Sequence, residues 1–270
     1  MTPSIDVLSD GPVRILTINN VEKRNAFSGD MAPTLRRRIE EADADTTVRA
    51  IVITGAGHEA FSSGHDLQEV LLSPETAGDP EANAAFTLPA RITTPVIGAI
   101  NGSAYAAGFI LALNCDLRVA GDNARFGAVG AKIGLVPVGG QLSRLLSLLS
   151  YQDAFRMLTT AEPLHARDAL ANGFIAQICA PEQTLDQAIA LGKTIAGVSP
   201  SVVNAIKAGL ANTLSNGLDA GQSAEGRLAG VVQQLPDGSE GVSSFLERRP
   251  AVYSDAPATL VDQLRAVIDD

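Results

Sequence analysis

The stretch Ala60-Phe61-Ser62-Ser63-Gly64-His65-Asp66-Leu67 sets small residues and a glycine immediately before an imidazole and a carboxylate. Small residues up to Gly64 let the backbone approach a ligand closely, so the N–H of His65 is expected to face a developing negative oxygen. A second donor is expected where Ala106-Ala107-Gly108 opens a short helix, because the first N–H groups of a helix lack partners and sit at its positive end. Two such donors converging on one oxygen form an oxyanion hole, which stabilises an enolate or a tetrahedral intermediate. The side chain of His65 titrates near neutrality and is the leading candidate acid or base, with Asp66 next.

Several other chemistries are excluded. The 270 residues carry a formal net charge of −10 with no long basic run, which argues against nucleic acid as the main partner. The two cysteines, Cys115 and Cys179, make neither a disulfide framework nor a metal pattern and are expected to be buried free thiols. The three histidines, His58, His65 and His165, are too scattered for a metal site. Gly55-Ala56-Gly57-His58-Glu59-Ala60, with Glu75 further on, fits a dinucleotide fingerprint in letters only. That fingerprint needs a helix at its second glycine, and the chain runs into Phe61-Ser62-Ser63-Gly64 instead. Met1 to Val7 has no signal-peptide pattern, and no apolar run is long enough to span a bilayer, so a cytoplasmic protein without membrane insertion is expected.

The elements that must hold these groups alternate strand and helix, an α/β pattern. Val13–Ile18, Ala50–Thr54, Pro95–Ile100 and Cys115–Ala120 read as strands. Ser28 is the expected N-cap of a helix to about Ala44, with Met31, Leu35 and Ile39 on its apolar face. Residues 68–92 read as helix interrupted at Ser73-Pro74 and Gly78-Asp79-Pro80. Leu142, Leu145, Leu146 and Leu149 read as a core-facing helical stripe. From about Gln183 the pattern is helical over 184–197, 199–212, 216–235 and 239–247, with a weaker amphipathic stretch at Leu260–Ile268. The expected organisation is a core over 1–195, a helical oligomerisation region over 196–250 and a tail over 251–270.

In this order and spacing the segments resemble the crotonase, or enoyl-CoA hydratase/isomerase, superfamily over about residues 10–250. Arg24-Asn25-Ala26 matches its first CoA-contacting loop, and Ala60 to Leu67 its A-F-x-x-G-x-D-L segment. Pro95 to Gly102 followed by Ala106-Ala107-Gly108 matches its second oxyanion segment. Gly134-Leu135-Val136-Pro137-Val138-Gly139-Gly140 and Phe245-Leu246-Glu247-Arg248-Arg249-Pro250 match its later motifs. The resemblance implies a spiral of ββα turns with C-terminal helices that drive trimerisation, as a homotrimer or a dimer of trimers. It implies an acyl-CoA thioester as substrate or ligand with no further cofactor. The thioester carbonyl would lie on the N–H groups of His65 and Ala107, and Arg24, Arg248 and Arg249 are candidates for the CoA phosphates. Ala26, Ala60, Ser63, Gly64, Leu67, Tyr105, Gly108, Ile110, Gly130 and Lys132 are the expected remainder of the binding site.

The sequence departs from the resemblance at two positions. Family hydratases carry a glutamate three residues after the second oxyanion donor and another four residues before the glycine of G-x-x-P. Here these are Ile110 and Gly130. Neither moves a proton, and each positioned acid–base group is typically worth about 10²–10⁴ in rate. The expectation is an acyl-CoA enzyme with non-standard acid–base chemistry; the alternative is a non-catalytic acyl-CoA binding protein on the same scaffold. Installing both glutamates is expected to raise hydratase activity.

Overall fold

The computed structural model describes residues 2–73, 79–257 and 259–269. Ten strands and eleven helices follow one another among them. They are β1 (Ser4–Asp10), β2 (Val13–Asn19), α1 (Met31–Ala44), β3 (Ala50–Gly55), β4 (Ala60–Ser62), α2 (Leu67–Leu72) and α3 (Ala84–Thr87). Next come β5 (Val96–Ile100), β6 (Ser103–Tyr105), α4 (Ala107–Asn114), β7 (Leu117–Gly121), β8 (Arg125–Gly127), α5 (Tyr151–Thr160), β9 (Leu164–His165), α6 (Ala166–Ala171) and β10 (Gln177–Cys179). The chain ends in α7 (Thr184–Ala196), α8 (Pro200–Asn216), α9 (Leu218–Gln233), α10 (Pro236–Glu247) and α11 (Leu260–Asp269).

The strands form a six-stranded sheet in the order β1-β2-β3-β5-β7-β10 and a four-stranded sheet in the order β4-β6-β8-β9. Each long strand β3, β5 and β7 is followed by a short one in the second sheet and then by helix. This repetition is the expected spiral of ββα turns. Parallel strands covered on both faces need apolar residues throughout, and every residue of β3 and β5 is buried. Alternate residues serve different layers. Ile51 and Ile53 join Leu35 and Ile39 of α1 and Phe109 of α4 in the main core. Val52 joins Val13, Ile97 and Ala188 of α7 in a smaller core behind the sheet.

Two buried asparagines fix the crossing from β3 to β4. Asn101 Nδ2 donates to the carbonyls of Gly55 and Gly57, at 2.9 and 2.6 Å, and its Oδ1 accepts from Gly55 N–H at 3.1 Å. Asn25, at φ 56°, donates through Nδ2 to Ala56 O and Ala60 O. The Gly55–Gly57 turn thus runs into a strand, as the rejection of a dinucleotide site required; Glu75 lies outside the described residues.

Several expectations are corrected. Asp30, not Ser28, occupies the N-cap position of α1, because the Ser28 hydroxyl is turned to Asp66. The segment expected to be helical over 68–92 is two short helices, α2 and α3; Pro74 and Gly78 lie outside the described residues. The leucines at 142–149 straddle a short 3-10 turn, Arg144–Ser147, with Leu145 and Leu149 buried and Leu142 and Leu146 exposed. Strand β1 was not expected at all, because only Ile5 of its residues is buried. Cys179 is half-buried, while burial pushes the Cys115 thiol up to about 12. The 251–270 segment is no separate tail: Leu260 and Leu264 of α11 are buried against Ala224 and Leu228 of α9.

Asn101→Ala is expected to lower stability by about 2–4 kcal/mol, because it strands the buried N–H and carbonyl of Gly55 without replacing their partner. Urea denaturation checks this.

Candidate active site

A cavity of about 680 Å³ lies where β4, β6 and the start of α4 meet the segment 129–138. The two expected donor segments touch there. Gly64 has φ 99°, and a Cβ on it would fall 3.0 Å from Ala107 N. Gly108 packs so closely on β4 that a side chain would run into the Ser62 carbonyl. Glycine at 64 and 108 is what lets the segments meet.

The orientation of both donors follows from the backbone. Phe27 and His65 form a parallel bridge in which Phe27 N–H donates to Gly64 O at 2.8 Å and Asp66 N–H donates to Phe27 O at 3.0 Å. That pattern uses the neighbours of His65 and turns its own N–H to the opposite side. Ala107 is the first residue of α4, so its N–H has no partner within the helix. Among the described residues neither N–H donates to a protein acceptor. Ala106, just before, holds φ 49° and ψ −121°, fixed by its N–H bond to Gly127 O at 3.1 Å. An alanine there is strained, by about 1–3 kcal/mol.

The side chain of His65 lies against Phe86, and its Nε2 is 3.4 Å from Asn83 Oδ1. Asn83 Nδ2 donates to Asp79 O, which orients the amide oxygen toward the ring. This network assigns the proton to Nε2 and the lone pair to Nδ1. Burial lowers the His65 pKa below its ordinary value of 6.5, against opposing contributions from Asn83 and Glu69, so the ring is neutral at pH 7.

Asp66 lines the cavity, but its carboxylate is committed to neighbouring groups. Its buried carboxylate takes Lys23 Nζ and the Ser28 hydroxyl on Oδ2 and Gln68 N–H on Oδ1, capping α2. The bond from Lys23 is the largest of the effects that hold its pKa below the usual carboxylate value. Ile110 and Gly130 both line the cavity. Ile110 is buried and packs on Gly139, where a Cβ would lie 2.5 Å from its Cγ2. Gly130 opens a 3-10 turn closed by the Leu135 N–H bond to Gly130 O. A Cβ on Gly130 would fall 2.7 Å from Leu135 O, so a glutamate there requires the backbone of the turn to shift.

Ala26, Ser63, Leu67, Tyr105 and Lys132 also line the cavity. Arg24, Ala60, Gly64, Gly108 and Arg248 do not. Arg24 is exposed in a left-handed turn where its carbonyl accepts from Ser63 N–H, and its neighbour Lys23 takes the lining position. Ala60 is buried within β4. Arg248 caps α10 away from the cavity, and Arg249 is held by Glu240 and Glu247. Sequence reasoning missed Lys23, Asn83 and Gln141; none sits in a pattern that marks it, and only adjacency to Arg24 pointed to Lys23.

The enoyl-CoA hydratase/isomerase family model matches residues 10–256. The chain belongs to the enoyl-CoA hydratase/isomerase family. Its crotonase fold agrees: the enoyl-CoA hydratase of Mycobacterium tuberculosis H37Rv superposes with a TM-score of 0.88 at 29% identity, covering 94% of this chain and 100% of that one. The 2,3-dehydroadipyl-CoA hydratase of Escherichia coli (strain K12) is 33% identical over 88% of this chain and 93% of its own. The enoyl-CoA hydratase domain-containing protein 3, mitochondrial, of Danio rerio is 34% identical over 91% of this chain and 86% of its own. Among the described residues of this family member, no single helix is long and apolar enough to cross a membrane.

Two measurements check this site. Ala106→Gly should relieve the positive-φ strain and raise stability by about 1 kcal/mol, read as a higher Tm. As pH falls through 6.5, the unfolded chain takes a proton that folded His65 refuses. Stability should therefore decline from pH 7.5 to 5.5, and His65→Gln should make that decline shallower in urea titrations.

Proposed function

We propose that this chain binds an acyl-CoA thioester in the 680 Å³ cavity, with the thioester carbonyl on the N–H groups of His65 and Ala107. The observation that carries the reading is the meeting of two unspent backbone donors at one wall of a largely apolar cavity. Family membership and the enoyl-CoA hydratase names of its relatives support the same ligand class. Donors held in place by a sheet and a helix cost no reorganisation as charge develops on the oxygen. The chemistry open to such a complex is enolate or tetrahedral-intermediate stabilisation, with the neutral His65 imidazole as the protein's own proton acceptor. Lys132, on the cavity lining, is the cation placed for the anionic part of CoA, whereas Lys23 there is paired with Asp66.

A second reading, binding without turnover, is favoured by one specific set of contacts. Asp66, the cavity's own carboxylate, is spent on Lys23, Ser28 and the start of α2. Ile110 and Gly130 offer nothing in its place, so the two-carboxylate hydration of the family resemblance has no support in these residues. A homotrimer or a dimer of trimers is part of the proposal. The stripe of Val202, Ile206, Leu210 and Leu214 along α8, each exposed, is an apolar face suited to a second copy.

Calorimetry should detect acyl-CoA binding, and the matched S-alkyl thioether, which lacks the carbonyl, should bind about tenfold more weakly because two hydrogen bonds are lost. Equal affinity of thioester and thioether would remove the oxyanion role. Crotonyl-CoA followed by its conjugated absorbance should show little hydration; fast hydration that survives His65→Gln would place the catalytic group elsewhere.

A further inference from the structure

A second cavity of about 660 Å³ adjoins the first, and Asn83 and Val138 line both. Its character is different. Arg91, Arg144, Asn114, Ser143 and Ser147 face it, and Ile110 packed on Gly139 forms the partition between the two. From this we propose that the acyl group carried by the CoA thioester ends in a carboxylate, which the guanidinium groups of Arg91 and Arg144 receive. The proposal rests on the thioester reading of the first cavity.

The two arginines are unspent cations. Arg144 donates through Nε to Leu113 O at 3.2 Å, one of its five N–H donors, and helps close the C-terminal end of α4. Other carbonyls near that end accept from Cys115 N–H (Leu111 O), from Asn114 Nδ2 (Ile110 O) and from Arg118 (Ala112 O). Among the described residues Arg144 makes no ion pair, and the guanidinium of Arg91 makes neither an ion pair nor a hydrogen bond. In a chain of net charge −10, two arginines without acidic partners on one cavity are a site prepared for an anion.

Geometry gives the length of the acyl group. The oxyanion donor Ala107 and the second cavity's Asn114 are the first and last residues of α4. Seven residues of helix rise about 10 Å. An extended chain covers about 3.5 Å for every three bonds, so about nine bonds span the distance. The wall along which the chain would run, past Asn83 and Val138 that line both cavities, carries no unpaired negative charge among the described residues. Ile110 puts a hydrocarbon side chain on the partition where the family resemblance puts a glutamate, and the charge of Asp66 is countered by Lys23. A second carboxylate on that wall would repel the chain's terminal one.

The test compares three saturated thioesters by calorimetry: 9-carboxynonanoyl-CoA, its methyl ester and decanoyl-CoA. The carboxylate should bind at least tenfold tighter than either neutral ligand. Arg91→Gln, at an exposed position, should cut that preference severalfold, and adding Arg144→Gln should abolish it, with decanoyl-CoA affinity retained in both. Should Arg144→Gln fail to fold, Arg144→Lys, which keeps the charge and loses the fork, should still reduce the preference. Equal binding of all three ligands, or a preference untouched by Arg91→Gln and Arg144→Lys, overturns the carboxylate subsite and leaves the thioester reading standing. Binding of none of them removes the thioester reading and this subsite with it.

Discussion

The carbonyl of Ala60 is the point on which the site hangs. Buried amides from two distant segments converge on it, Asn25 Nδ2 at 2.7 Å and Asn101 Nδ2 at 3.4 Å. A buried amide without a partner is costly, so the crossing from the main sheet to the second sheet has one arrangement. That arrangement delivers Ser62 and Gly64 against the start of α4. Small residues at 64 and 108 then allow contact, and contact puts two N–H groups on one cavity wall. Ala106 tolerates its unfavourable dihedrals because the hydrogen bond to Gly127 and the packing on Gly64 hold it there.

Much of this was legible in the chain itself. Fully buried parallel strands announce themselves as unbroken apolar runs, and β3 and β5 were read that way. The two segments that meet at the cavity were legible because glycine and alanine at the end of a strand have few other uses. Strand β1 was not, since an edge strand with one buried residue lacks an apolar pattern. The pairing of Asp66 with Ser28 was not legible. A residue type that suits catalysis or capping also suits a long-range polar contact, and only the fold shows that the two residues, 38 positions apart, bond to each other. Arg24 and Lys23 are neighbours in sequence, and a left-handed turn decided which one reaches the cavity.

The chemistry follows from what surrounds the donors. Two backbone N–H groups without protein acceptors among the described residues lie on the cavity wall, while Ile110 and Gly130 stand where the family resemblance places two carboxylates. Burial keeps the one available imidazole neutral and Asn83 fixes its tautomer, so its lone pair is on Nδ1. In the proposed complex, binding and polarisation of a carbonyl depend on the main chain and not on any acid–base side chain.

The turn from Gly130 to Leu135 shapes one wall of the site. With no side chain at 130, the carbonyl of Leu135 has settled into the space a Cβ would need. A side chain introduced at that position meets a closed door, and the turn must shift before the new group can reach the cavity. The glycine is thus part of the shape of the turn and not a gap left in the cavity wall.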